Sequence, residues 1–131
     1  SHAAMTPAGG ITHIVTNYKY TGGPLVTAEG GWALTPSYGF AMKFLIVMEK
    51  AVLAFNSKCA PTLMLYPAEG DADAPRLESG DGYSRQIGHF VKTLRGEPVP
   101  AVTTPQQALA TLRIAEAERE SAREGCHVNV N

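Results

Sequence analysis

Between Ile11 and Tyr66 the sequence is a succession of short runs of β-branched, aromatic and aliphatic residues, each ended by Gly, Pro or a charged pair. Such punctuation commits this half of the chain to short strands joined by tight turns. The first run, Ile11 to Tyr20, meets Gly22-Gly23-Pro24 and resumes as Leu25 to Ala28, which predicts a hairpin. A second extended pair follows, Phe40 to Met48 and Ala51 to Asn56, broken at Glu49-Lys50. Beyond Pro61, Thr62 to Tyr66 supplies a further strand. Consecutive strands with short connections pair antiparallel, so an antiparallel meander is expected.

The pattern then changes. From Pro67 to Gly82 the residues are mostly Pro, Gly, Asp, Ser and Ala without periodicity, the signature of a surface loop. Tyr83, Ile87, Phe90, Val91 and Leu94 recur at helical spacing after Asp81, a candidate N-cap, and before Gly96, a candidate terminator. After the extended Glu97 to Pro100, Thr104-Pro105-Gln106-Gln107 combines a capping residue, Pro at the first helical position and Gln at the capping-box position. A second helix is therefore predicted from Pro105 to about Glu124, closed by Gly125 in the left-handed conformation. Its stripe Ala110, Ile114, Ala117 and Ser121 is small enough to lie close against a sheet or another helix. Glu116 with Arg119, and Glu120 with Arg123, form pairs on its wet side. Cys126 to Val130 alternates weakly, as one more short strand would. Strands first and helices later predict an α+β fold: an open, mostly antiparallel sheet with two C-terminal helices on one face.

Composition excludes several classes. The chain has 131 residues, 44% hydrophobic and 18% charged, enough for one ordinary globular core. Lys plus Arg number 11 against 12 Asp plus Glu, so no strong field exists to hold nucleic acid or an anionic membrane. The most apolar stretch, Phe40 to Met48, is interrupted by Lys43 and is far short of the roughly 20 residues of a spanning helix. Two cysteines, Cys59 and Cys126, lack the density and spacing of a disulfide framework or zinc site, and they read as reduced thiols in a cytoplasmic protein. Ser1 to Met5 has no signal-peptide character and reads as a tag remnant. Thr6 to Gly10 reads as a flexible lead, so the fold is expected to span residues 11–131.

No chemical motif stands out. Gly80-Asp81-Gly82-Tyr83-Ser84-Arg85 imitates the start of a dinucleotide fingerprint, but Arg85 stands where the third glycine belongs and a loop precedes it, so a loop and helix cap is the better reading. His2, His13, His89 and His127 include no pair four residues apart and no cysteine cluster. Cys126 and His127 are adjacent, which in a strand sends them to opposite faces. Glu29 and Glu49 are far apart in sequence, and neither alone defines acid or base chemistry. Of the aromatic group Tyr18, Tyr20, Trp32, Tyr38 and Phe40, Trp32 and Tyr38 flank a stretch with Pro36 and Ser37 where a strand end would present them to a ligand or partner; a core or interface role is the competing reading.

The order of features resembles the C-terminal domain of the Gfo/Idh/MocA oxidoreductases, the family of glucose-fructose oxidoreductase and inositol dehydrogenase. The resemblance rests on Ala28-Glu29-Gly30-Gly31-Trp32, Phe40-Ala41-Met42-Lys43-Phe44, Tyr83 through His89-Phe90 with Gly96 and Pro98, Thr103 to Ala108, and Glu120-Ser121-Ala122 with Gly125. It covers nearly everything from Ile11 to Val130, by order and spacing of degenerate pieces. It implies a domain with a large, mostly antiparallel open sheet that contributes substrate contacts and oligomerises. Its companion in that family is a Rossmann domain that binds NAD or NADP and serves hydride transfer to and from sugars or polyols.

The family's chemistry also uses a lysine in a Glu-Lys-Pro segment and an acidic and histidine motif. Here Glu49-Lys50-Ala51 falls in a turn, and neither motif is present. The resemblance therefore implies a C-terminal portion of a longer enzyme, inactive alone, with no catalytic, cofactor-binding or metal-binding residue of its own. By approximate position it makes Trp32, Tyr38 and Tyr83 the candidate substrate contacts. An open sheet face carrying Ile, Val, Tyr and Trp predicts a homodimer through that face. The alternatives are a free-standing small-molecule binding module of START-like or nuclear-transport-factor-like type, with the ligand in an internal pocket, and a pure dimerisation domain.

Overall fold

Strand pairing divides the meander in two. The computed structural model describes residues 1–78, 80–102 and 104–130. It contains β1 (His2–Met5), β2 (Ile11–Lys19), β3 (Leu25–Gly31), β4 (Lys43–Val47), β5 (Ala51–Asn56), β6 (Leu63–Pro67), α1 (Gly82–Leu94) and α2 (Pro105–Glu124). The fold is α+β and its strand pairs are antiparallel, as expected. The strands form two three-stranded sheets, ordered β1-β2-β3 and β4-β5-β6, each a meander of sequence neighbours. Two compact units follow: residues 1–36 with 100–131, and residues 37–99.

In the first unit the largest departure from expectation is at the start of the chain. Residues 1–10, read as a tag remnant and flexible lead, instead supply β1 and its turn. His2 to Met5 pairs with Val15 to Ile11, with a register irregularity at Ala4 and Met5. Thr6 and Gly10 close the turn through Thr6 N–H to the Gly10 carbonyl at 2.8 Å, while the Thr6 hydroxyl accepts from Gly10 N–H at 3.0 Å. The physical reason is the edge of β2, a nine-residue strand whose main-chain groups on that side need partners.

Alternation along β2 sets the two faces of this sheet. Thr16 and Tyr18 face α2, and Thr16 is one of only two buried residues among those described. His13, Asn17 and Lys19 lie on the opposite face, where His13 Nε2 meets Glu29 Oε1 at 3.0 Å and Thr27 donates to Asn17 at 2.8 Å. That face is polar.

Helix α2 begins as predicted. The Thr104 hydroxyl accepts from Gln107 N–H at 3.2 Å, the Gln107 side chain accepts from Thr104 N–H at 2.8 Å, and Pro105 is the first helical residue. It ends at Gly125 with φ 65°, where a side chain would be strained. Glu116 pairs with Arg119 as expected, whereas no ion pair is formed between Glu120 and Arg123. Residues 126–130 form no strand.

In the second unit β4 begins at Lys43, three residues later than Phe40. Met42 is held outside the strand by Ser57, whose N–H donates to the Met42 carbonyl at 2.9 Å and whose hydroxyl accepts from Met42 N–H at 2.9 Å. The register places Phe44, Ile46, Leu53, Phe55, Leu63 and Leu65 on one face and Leu45, Val47, Val52, Ala54, Met64 and Tyr66 on the other. Phe44 and Phe55 stack with centroids 5.3 Å apart. Both faces are therefore apolar. Beyond β6 the expected surface loop holds one bridge, Leu65 to Asp73.

Asp81 caps α1 by accepting from Ser84 N–H at 2.8 Å, and Gly96 follows the helix with φ 70°. No residue of α1 is buried, although Tyr83, Ile87, Phe90 and Leu94 make one apolar stripe. Among the described residues no hydrophobic side chain anywhere is buried. Ser79, in the expected surface loop, Thr103, in one of the segments that carry the family resemblance, and Asn131 lie outside the described residues.

Candidate functional site

The three residues expected to touch substrate are all accessible, and they fall in different units. Trp32 follows β3 in the first unit, its N–H donating to the Thr12 carbonyl at 2.8 Å while its side chain is 90% exposed. Tyr38 and Tyr83 belong to the second unit. Lys58 Nζ donates to the Tyr38 carbonyl and lies 4.6 Å from the centre of the Tyr38 ring, so one flank of that ring already carries a cation. Tyr83 occupies the first turn of α1 and is 76% exposed. Among the described residues no hydrogen bond or ring contact joins Tyr38 to Tyr83.

The glycine-bearing segment before α1 is a cap. Asp81 occupies the helix N-terminus with its own carboxylate, which the Ser84 backbone and hydroxyl donors hold below the usual carboxylate range. That leaves the anion-favouring end of α1 filled by a side chain. Cys59 and Cys126 both carry free, exposed thiols. Among the described residues no three His, Cys, Asp or Glu side chains come together as metal ligands, and no helix is long and apolar enough to cross a membrane.

A set of residues that sequence reasoning did not single out as a site meets in the first unit. Between β2, the C-terminal half of α2 and the tail after Gly125 lies a cleft of about 630 Å3 lined by Thr16, Tyr18, Tyr20, Glu118 and Ser121 among others. Tyr18 Oη donates to Glu118 Oε1 across a separation of 100 residues. Burial first, then this hydrogen bond and the charge of Glu118, push the Tyr18 hydroxyl up to about 12. At neutral pH it is therefore a fixed donor to Glu118.

Ser121 organises the floor. Its hydroxyl donates to the Cys126 carbonyl at 2.7 Å, tying the tail back onto the helix, and accepts from the Ser1 amine at 2.7 Å. The Ser1 and Thr16 hydroxyls are 2.8 Å apart and share a hydrogen bond. The small-residue stripe of α2 was the available signal: Ile114, Ala117 and Ser121 do line the cleft. Glu118, the neighbour of Ala117, gave none.

Compared with known proteins, the chain matches no family model, no curated protein and no solved structure.

Proposed function

We propose that this chain is the C-terminal domain of an NAD- or NADP-dependent sugar or polyol oxidoreductase of the Gfo/Idh/MocA type, contributing substrate contacts and dimerisation through its sheet and inactive by itself in a cytoplasmic setting. Two lines support the reading. One is the ordered resemblance of the segments from Ala28 to Gly125. The other, which carries the dimerisation part, is the β4-β5-β6 sheet, apolar on both faces and without a buried side chain. An antiparallel sheet facing water alternates apolar with polar residues, so a sheet apolar on both sides is one layer of a larger stack.

The dimer surface belongs to this sheet and not to β1-β2-β3, whose face away from α2 carries the His13–Glu29 and Asn17–Thr27 pairs. Trp32, Tyr38 and Tyr83 take the substrate role in this reading because their rings are accessible while their backbones are fixed by Thr12, Lys58 and the first turn of α1.

Two experiments test the proposal. Size-exclusion chromatography with light scattering should give a dimer at tens of micromolar, and a monomer would remove the oligomerisation role. The reading frame upstream of residue 1 should encode a Gly-rich strand-turn-helix and a Glu-Lys-Pro segment; a start codon directly before the chain would overturn the oxidoreductase reading. In the enzyme that carries both domains, Tyr83→Phe should raise KM or lower kcat, and unchanged kinetics would return Tyr83 to a structural role.

A further inference from the structure

Strand β4 is one edge of the β4-β5-β6 sheet, and its register shows which main-chain groups turn away from the sheet. Just beyond its two ends, Ser57 N–H donates to the Met42 carbonyl and Met48 N–H donates to the Ala51 carbonyl, each at 2.9 Å. Hydrogen-bonded pairs alternate along an antiparallel ladder, so Met42, Phe44, Ile46 and Met48 turn their main chain toward β5. The N–H and C=O groups of Lys43, Leu45 and Val47 therefore point outward. No hydrogen bond from elsewhere in the chain reaches them among the described residues, and every residue of β4 is exposed.

The opposite edge of the sheet is guarded. Leu65 turns outward on β6, and it exchanges both main-chain hydrogen bonds with Asp73, at 2.8 and 2.9 Å. Pro67, the next outward residue, has no N–H to offer. By contrast β4 has no proline, glycine or bulge, and Lys43 is its only charge.

A strand that fits this edge must be apolar on both sides, because Phe44 and Ile46 lie on one face and Leu45 and Val47 on the other. β4 itself is such a strand. Turned about a two-fold axis through Leu45, a second copy sets Leu45 opposite Leu45, Lys43 opposite Val47 and Phe44 opposite Ile46, so both apolar faces run on unbroken. The outward groups of Lys43, Leu45 and Val47 then meet in hydrogen-bonded pairs, roughly six bonds in all. The two Lys43 residues stand roughly 14 Å apart, at opposite ends of the pairing. Each arrives beside Glu49, which follows Val47 by two residues, while Lys50 is held on the other side of the hairpin, its carbonyl accepting from Ala68 N–H at 2.8 Å.

We infer that two copies of this chain join along β4, antiparallel about Leu45, and merge their three-stranded sheets into one continuous sheet. The pairing rests on the proposed dimerisation through this sheet and names the contact that makes it. It stops at two copies, since the edges left to the joined sheet are those of β6, guarded by Asp73 and Pro67.

The test is NMR on the whole chain in a mixture of isotope-labelled and unlabelled copies, with light scattering beside it. Directly opposed residues of a non-hydrogen-bonded pair approach most closely, so the α-protons of Phe44 and Ile46 from different copies should show an intermolecular nuclear Overhauser effect. Leu45→Pro deletes an outward N–H and leaves the β4–β5 bonds in place, so it should be monomeric. The Val47 amide should exchange roughly tenfold faster in that variant than in the unaltered chain.

A dimer without the Phe44–Ile46 effect would overturn the edge pairing and leave dimerisation through a sheet face standing. A monomer would overturn both and leave the β4 edge to a strand of another protein. Scattering that grows without limit with concentration would overturn the closed pairing, and a Leu45→Pro protein that stays dimeric would overturn the use of this edge. If Leu45→Pro fails to fold, the Phe44–Ile46 effect in the unaltered chain decides.

Discussion

The imidazole of His13 lies so close over Gly31 that a Cβ on residue 31 would stand 2.4 Å from Nδ1 and 3.1 Å from the Thr12 carbonyl oxygen. Gly31 is the cross-strand partner of His13 in the β2–β3 ladder, so the missing side chain is what lets the ring lie down and reach Glu29. Gly31→Ala should therefore destabilise the chain by about 1–3 kcal/mol, the usual penalty for forcing a methyl into occupied space. In a His13→Ala background most of that penalty should vanish. Urea denaturation of the four proteins of this cycle measures it; an undiminished penalty would place the strain on the Thr12 backbone instead.

The Tyr18 hydroxyl gives an alkaline signature. Its folded value of about 12 lies above the ordinary 10, so the folded state holds this proton more tightly than the unfolded chain does. The stabilisation is complete below about pH 10 and is lost as pH rises from about 10 through 12. Tyr18→Phe should abolish this part of the pH dependence. In ultraviolet titration the wild-type chain should show one tyrosine ionising later than the ordinary range. A single transition at the ordinary value would contradict the Tyr18–Glu118 contact.

The two ends of α2 are set by different residues and should fail separately. Thr104→Ala removes the hydroxyl that accepts from Gln107 N–H and should cost about 1 kcal/mol. Gly125→Ala forces a Cβ into the left-handed region and should cost roughly 1–2 kcal/mol. Amide exchange would show the first loss at residues 106–108 and the second in the last turn, where the Ser121 link to Cys126 is also released.

At the start of α1 the sign of the pH effect reverses. The Asp81 carboxyl lies below its ordinary range because Ser84 donates to its charged form, so the cap is present above the ordinary carboxylate value and lost as pH falls through the lowered one. Exchange of the Ser84 amide should stay protected into moderate acid. Asp81→Ala should remove that protection at every pH.

The dimer prediction discriminates between faces. Phe44 and Leu45 are adjacent on β4 and point to opposite sides of the sheet. Phe44→Asp and Leu45→Asp carry the same charge into the two surfaces, and one of them should yield a monomer in light scattering while the other leaves the dimer intact. A dimer that survives both changes would be held by another surface.

The helices were legible because their ends are written in residue types with fixed geometric roles. Asp81, Thr104, Pro105, Gln107 and Gly125 each do locally what their chemistry permits. Strands β2 to β6 were legible from β-branched and aromatic runs. β1 was not, since His2-Ala3-Ala4-Met5 contains no β-branched residue and becomes a strand only because β2 offers it an edge. Nor was the division into two sheets, which depends on whether residues 32–42 carry the ladder onward, a long-range matter of pairing. Tyr18 and Glu118 meet across 100 residues, and no local pattern encodes such a meeting.

The shortness of β1 has a consequence for handling the molecule. Four residues shield one side of a nine-residue strand, and a single turn at Thr6 to Gly10 tethers them. A protease cut in that turn, or a version of the chain started at Ile11, would leave a row of β2 amides and carbonyls open to any passing strand. Edge-to-edge pairing along Ile11 to Val15 is then a route out of the native state that β1 keeps closed.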